Sequence, residues 1–194
     1  EKELGLLRFI RQNFDAKTIE IRVDANGAFK SNEALSKLNQ LNKFELHSIE
    51  QPIKANQIQE MKLLCQQTPF PIALDEELIG VFGIENKRKL LEEIQPQYII
   101  LKPSLVGGFK GTLEWISIAE SLNIGWWITS ALESNIGLNA ITQFTFTLNN
   151  PMPQGLGTGG LYTNNFDCPL QIENGHIQYN VDKQWGISNL GLQL

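Results

Sequence analysis

Five short apolar runs set the frame for this chain. They are Thr18 to Val23, Leu46 to Ile49, Pro71 to Leu74, Tyr98 to Leu101 and Gly125 to Thr129, and they stop at Asp24, Glu50, Asp75, Lys102 and Ser130. Successive stops lie 25 to 28 residues apart, about the length that one strand, one helix and two short loops require. Short, near-continuous apolar runs suit strands covered on both faces. A sixth, weaker run, Gln154 to Leu156, leads into a glycine-rich loop. Between the runs apolar residues recur every three or four positions, the spacing of amphipathic helices. One helix, capped by Ser31, carries Ala34, Leu35, Leu38 and Leu41; a second runs from about Asn56 to Cys65. A short third lies around Ile84 to Leu91, a fourth carries Leu113 to Leu122, and a fifth spans about Ser134 to Leu148.

This alternation predicts an α/β chain with a parallel sheet, a (β/α)8-type (TIM-like) barrel that is incomplete at the N-terminus. A doubly wound open sheet is the competing architecture. It usually gathers its reactive residues at one switch point, whereas here they end strand after strand. An amphipathic helix with Leu4, Leu7, Phe9 and Ile10 opens the chain with no strand before it. The expectation is a fragment whose first strands and N-terminal part are missing. The barrel portion is expected over residues 1–168. In the remainder, 169–194, Leu170 to Glu173 and Ile177 to Tyr179 flank Asn174-Gly175, a strong hairpin signal.

Composition narrows the function classes. The 194 residues are 42% hydrophobic and 19% charged, the balance of an ordinary globular domain. Net charge is −5 with scattered basic residues, which argues against a nucleic-acid partner. No apolar run approaches the roughly 20 residues that span a bilayer, so no membrane partner is expected either. Cys65 and Cys168 stand far apart in unlike contexts. They suggest no disulfide framework and no zinc site, and they fit a reducing, cytoplasmic setting.

The strand ends carry the chemistry. One acid after a strand is usually a turn or cap residue. Asp24, Glu50 and Asp75 occur at the same phase in three successive units and would point to one mouth of the barrel. Together they would repel one another and shift their pKa values. A hard divalent cation resolves that conflict, so a Mg²⁺ site is expected on these three, with Mn²⁺ as an alternative metal. Arg22 shares the face of Asp24 and reads as a buried ion pair or as a tuner of the site's electrostatics. Asn26 and Glu76 follow ligands closely enough to orient them. Lys102 reads as a solvated strand end or, opposite a metal site, as a candidate base, acid or cation–π donor. Ser130 and Glu133 have capping-box spacing, which leaves substrate contact open. Gly155, Gly157 and Thr158 lie in a loop suited to close backbone approach by a ligand. Gly107-Gly108 lacks a phosphate-loop pattern and reads as a turn. His47 is read as structural and His176 as exposed in the hairpin.

At this point the sequence resembles a known family. Val23-Asp24-Ala25-Asn26, Ile49-Glu50-Gln51-Pro52, Leu74-Asp75-Glu76 and Leu101-Lys102-Pro103 are similar to motifs of the enolase superfamily, muconate-lactonising subgroup. Ser130-Ala131-Leu132-Glu133-Ser134 and Gly155-Leu156-Gly157-Thr158-Gly159 extend the resemblance to the o-succinylbenzoate synthases. It implies a hydro-lyase of menaquinone biosynthesis. Such an enzyme dehydrates 2-succinyl-6-hydroxy-2,4-cyclohexadiene-1-carboxylate to o-succinylbenzoate through a Mg²⁺-stabilised enediolate. By position, Asp24, Glu50 and Asp75 match the metal ligands, and Lys102 matches the lysine that holds the anionic intermediate as a cation.

The sequence departs from the family in several places. The family's K-x-K base would fall on a strand before Glu1, and Lys2, in the opening helix, is no substitute. The N-terminal capping domain is likewise expected to be missing from this fragment, and the 169–194 tail is expected on the side where it would pack. Glu77 replaces a smaller residue of many relatives. The chain alone is therefore expected to be inactive and its intact parent active. Dipeptide epimerases show a D-x-D motif where this chain has Gly155 to Gly160, which disfavours that reading. N-succinylamino-acid racemases remain an alternative, and a non-catalytic metal-binding remnant is the alternative of another class.

Overall fold

The structure is a computed structural model and describes residues 2–186. Strands and helices alternate as β1 (Arg22–Asp24), α2 (Ser31–Leu41), β2 (Ser48–Glu50), α3 (Ile58–Gln67), β3 (Ile72–Leu74), α4 (Ile84–Ile94), β4 (Tyr98–Leu101), α5 (Gly108–Ser121), β5 (Gly125–Ile128) and α6 (Asn135–Thr147), after an opening helix α1 (Lys2–Asn13). The five strands form one sheet in the order β1-β2-β3-β4-β5, with β1·β2, β2·β3 and β3·β4 parallel. The fold is α/β, a run of consecutive units of a (β/α)8-type barrel. The hairpin is present as β6 (Leu170–Glu173) and β7 (His176–Tyr179). Asn174 and Gly175 adopt φ of 50° and 74°, the left-handed pair that a tight two-residue hairpin turn demands. Of the expected 169–194 tail, residues 187–194 lie outside the described residues, as does Glu1.

The chain divides into two compact units, residues 1–100 with 113–126, and 101–112 with 127–194. In the first, Ile49, Ile72, Leu74 and Ile99 are essentially fully buried. Helices α2, α3 and α4 bury Ala34 and Leu38, Met61, Leu64 and Cys65, and Leu91 and Ile94. These are the three-and-four spacings of the sequence. Lys87 of α4 is also buried, its ammonium 2.9 Å from Glu114 and 5.3 Å above the Trp115 ring. That pairing lets a cation lie beneath a helix. In the second unit Leu138 and Ile141 of α6 are buried, and Phe109 stacks on Phe144 at 4.4 Å.

Several local expectations are corrected. The first strand begins at Arg22, not Thr18. The Asp15 carboxylate accepts from the Thr18 hydroxyl and backbone N–H and the Lys17 N–H, holding Thr18 in a turn despite its β-branched side chain. Ser31 is the first helical residue of α2. Lys30 occupies the cap position with no side-chain cap bond. The third helix runs to Ile94, longer than expected. Gln154 to Leu156 is reduced to a single parallel bridge, Thr129 with Gly155.

Candidate functional site

In the first unit the register orders the acids. Asp24 lies directly beside Glu50 in the β1·β2 pairing. Glu50 pairs with Ala73, so Asp75, two residues on, keeps the same phase. Asp24 is exposed, Glu50 half-buried and Asp75 buried at 2% exposure. The loops after these strands are laced together. Ala25 N–H donates to Glu50 C=O (3.0 Å), Gly27 N–H to Gln51 C=O (2.7 Å), and Gln51 N–H to Ala73 C=O (2.9 Å). Gly27 is required there: φ is +69°, and a Cβ would stand 2.9 Å from Lys54 Cα. Asn26 orients Asp24 through its backbone, its N–H donating to Asp24 Oδ1 at 2.7 Å. Arg22 pairs with Glu20 at 2.8 Å. Glu76, half-buried, opens a 3-10 turn over Glu76–Leu78.

Sequence reasoning missed the centre of this lacing. Gln51 is fully buried. Its amide oxygen accepts from Asp75 N–H (3.1 Å) and Glu77 N–H (3.3 Å), and its nitrogen donates to Ile53 C=O (3.0 Å) and the Glu77 carboxylate (3.2 Å). Glu77 also accepts from Asn56 N–H at 2.8 Å. Burial pushes the Glu77 carboxyl above the usual range, against the pull of the Asn56 and Gln51 donors. Gln51 stands in the Ile49-Glu50-Gln51-Pro52 motif, but that motif is read for Glu50 alone, because the partners of Gln51 are backbone groups and one acid after the next strand.

Two observations bear on whether a cation fits. The donor set is all oxygen, which suits a hard divalent ion, and the register sets Asp24 beside Glu50, with Asp75 following the end of β3. Among the described residues, however, no group of three or more His, Cys, Asp or Glu side chains is gathered as a metal-holding cluster.

In the second unit Lys102 is half-buried and directly follows β4, its carbonyl accepting from Leu105 and Val106 N–H. Thr129 N–H donates to Leu101 C=O, and Ser130 N–H to Gly155 C=O. Gly155 also accepts from the Thr129 hydroxyl, and a Cβ there would collide with that side chain. Ser130 and Glu133 make no capping box, because α6 begins later, with Ser134 at its cap position. Instead, Ser130 donates to Glu133 at 2.6 Å and accepts from Leu132 N–H, while Ser104 donates to the other Glu133 oxygen at 2.5 Å. Burial disfavours the charged form of Glu133. The two hydroxyls and the backbone N–H groups of Glu133 and Ala131 outweigh it and hold the carboxyl below its ordinary value. The loop Gly155 to Gly160 is tied to α6 through Asn165, which donates to Asn135 and to Gly159 C=O. His47, half-buried, bonds Ser48 and lies 5.0 Å from the Tyr98 ring, as a structural residue would. His176 is exposed.

A parallel α/β chain with an acid or lysine at the end of successive strands places its chemistry where β/α-barrel enzymes carry theirs. The sequence matches the family described as Enolase C-terminal domain-like over residues 1–188, and the chain belongs to that family. Within it, the chain is 55% identical to o-succinylbenzoate synthase of Desulfotalea psychrophila over 175 residues, 90% of this chain and 47% of that protein. The crystal structure of MenC from Desulfotalea psychrophila LSv54 superposes with a TM-score of 0.88 at 54% identity, covering 91% of this chain and 49% of that one. N-succinylamino acid racemase of Thermus thermophilus is 32% identical over 132 residues, 68% of this chain and 34% of that protein. These relatives are enzymes. The chain spans about half the length of the first two and a third of the last.

Proposed function

We propose that the full-length protein carrying this chain is an o-succinylbenzoate synthase. It would dehydrate 2-succinyl-6-hydroxy-2,4-cyclohexadiene-1-carboxylate, a small-molecule carboxylate, in a reducing cytoplasm. The observation that carries this reading is the 55% identity to a synthase over 90% of the chain. Asp24, Glu50 and Asp75 are the residues that would hold a divalent cation, Mg²⁺ or Mn²⁺. Bound there, the ion would supply positive charge where negative charge builds as the substrate loses a proton. Lys102 supplies a second positive charge and holds the anionic intermediate. Arg22, Asn26 and Glu76 support the acids, with Asn26 acting through its backbone N–H. Ser130, Glu133, Gly155, Gly157 and Thr158 form the substrate-facing loops. The 1–168 portion would be the barrel segment, and the hairpin of β6 and β7 would lie on the side of a capping domain.

The test is to read the codons upstream of Glu1 and to assay the full-length product with Mg²⁺. A K-x-K strand together with dehydration is the expected result; absence of both would leave a metal-binding remnant. The racemase similarity supports a second reading, so the same preparation should be incubated with an N-succinylamino acid. Racemisation without dehydration would replace the first reading by the second. Asp75→Asn should weaken Mg²⁺ binding and lower turnover with it, since it removes one ligand charge.

A further inference from the structure

We infer that Gln51 is a positioning residue that sets the mutual geometry of Asp24, Glu50 and Asp75. The inference rests on the proposed metal role of those acids and adds to it a residue that touches neither metal nor substrate. Gln51 bonds to the loops behind all three. Its carbonyl receives Gly27 N–H from the Asp24 loop, its own N–H reaches Ala73 C=O of β3, and it directly follows Glu50. Its side chain then fixes the Asp75 turn from two sides, through Asp75 N–H and Glu77 N–H. The amide orientation is dictated by its partners. Reversed, it would set oxygen against Ile53 C=O and a Glu77 carboxylate, and nitrogen against two N–H groups. The backbone of Gln51 is held at φ +35°, a left-handed value that a non-glycine residue keeps only where its surroundings over-determine it.

Glu77 is the second half of the device. One of its oxygens meets Gln51 and the other meets Asn56 N–H, which fastens the loop after β2 to the turn after β3. Small displacements of ligand groups cost metal affinity steeply, because an octahedral ion tolerates little distortion. A buried residue that ties three ligand loops therefore acts on the ion through them.

The test uses the full-length protein and Mn²⁺ as the probe, with free Mn²⁺ read by electron paramagnetic resonance. Gln51→Met keeps the length and removes all four side-chain hydrogen bonds. It should weaken Mn²⁺ binding at least tenfold and speed amide exchange at Asp75 and Glu77. Gln51→Glu keeps the acceptor but sets two carboxylates face to face, and should also weaken binding. The double variant Gln51→Glu/Glu77→Gln removes that repulsion but leaves a carboxylate oxygen against Ile53 C=O, so it should bind Mn²⁺ more tightly than Gln51→Glu without reaching the parent. That variant also decides the matter should Gln51→Met fail to fold. Mn²⁺ affinity within twofold of the parent in folded Gln51→Met, despite faster exchange at Asp75, would show a structural network only and overturn the inference. So would a double variant no better than Gln51→Glu. A parent that does not bind Mn²⁺ at all overturns the metal reading itself, an outcome distinct from the other two.

Discussion

Lys102 and Glu133 show how one side chain's environment sets its use. In the full-length protein, Lys102→Ala should leave Mg²⁺ affinity nearly intact, because an ammonium is not a ligand. Turnover should fall about 10²–10³-fold, the usual cost of one preorganised charge-stabilising group. Lys102→Arg keeps the charge in a broader planar head. Retained activity would mark a purely electrostatic role, and near-normal turnover of the alanine variant would reduce Lys102 to a strand-end residue. Glu133 makes a pH prediction. Its carboxyl is held below the ordinary 4.5, so the ionised form is favoured by folding. That contribution is present above the unfolded-state pKa and is lost as pH falls through the depressed folded value. Ser104→Ala removes one hydroxyl donor and should move the Glu133 titration upward, as followed by carboxyl carbon NMR. An unmoved midpoint would show that the hydroxyl bond does not form in solution.

The elements were read from the sequence with uneven success, for physical reasons. Asp24, Glu50, Asp75 and Lys102 stand out because each ends a strand of a repeating unit, and a repeat is visible along the chain. Helices α2 to α6 were legible from their buried stripes. What failed depended on single hydrogen bonds. Asp15 drew Thr18 out of the strand, and the Ser130–Glu133 bond looked like a cap while lying in a loop. Gln51 lies in the Ile49-Glu50-Gln51-Pro52 motif, yet its role is not legible there, because most of its bonds end on main-chain atoms that no residue type announces. Two glycines sharpen the point. A Cβ on Gly125 would run into the Tyr98 ring, whereas one on Gly157 would meet nothing within 4 Å. Gly125→Ala should therefore cost about 1–3 kcal/mol by overpacking. Gly157→Ala should be neutral or stabilising by about 0.4–1 kcal/mol, through the unfolded chain. Denaturant titration of both would check the contrast, and equal effects would refute it.

At the scale of the molecule, β1 is the outermost strand in the sheet order among the described residues, and α1 exposes Leu6 at 59% and Phe9 at 62%. A strand edge and apolar side chains open to water favour association. The 194-residue chain expressed alone should self-associate, which light scattering would detect; a monodisperse monomer with a sharp thermal transition would contradict this. The two cysteines add another consequence. Cys65 is buried and Cys168 half-buried, both free. Burial, with the nearby charge of Glu77, pushes the Cys65 thiol up to about 12, and only thiolates attack alkylating reagents at useful rates. Iodoacetamide added near neutral pH should tag Cys168 first and spare Cys65 until the segment around α3 comes apart. Mass spectrometry would then show a first label early and a second on the timescale of unfolding. Cys65 thereby becomes an internal stopwatch for the opening of the unit that carries the three acids.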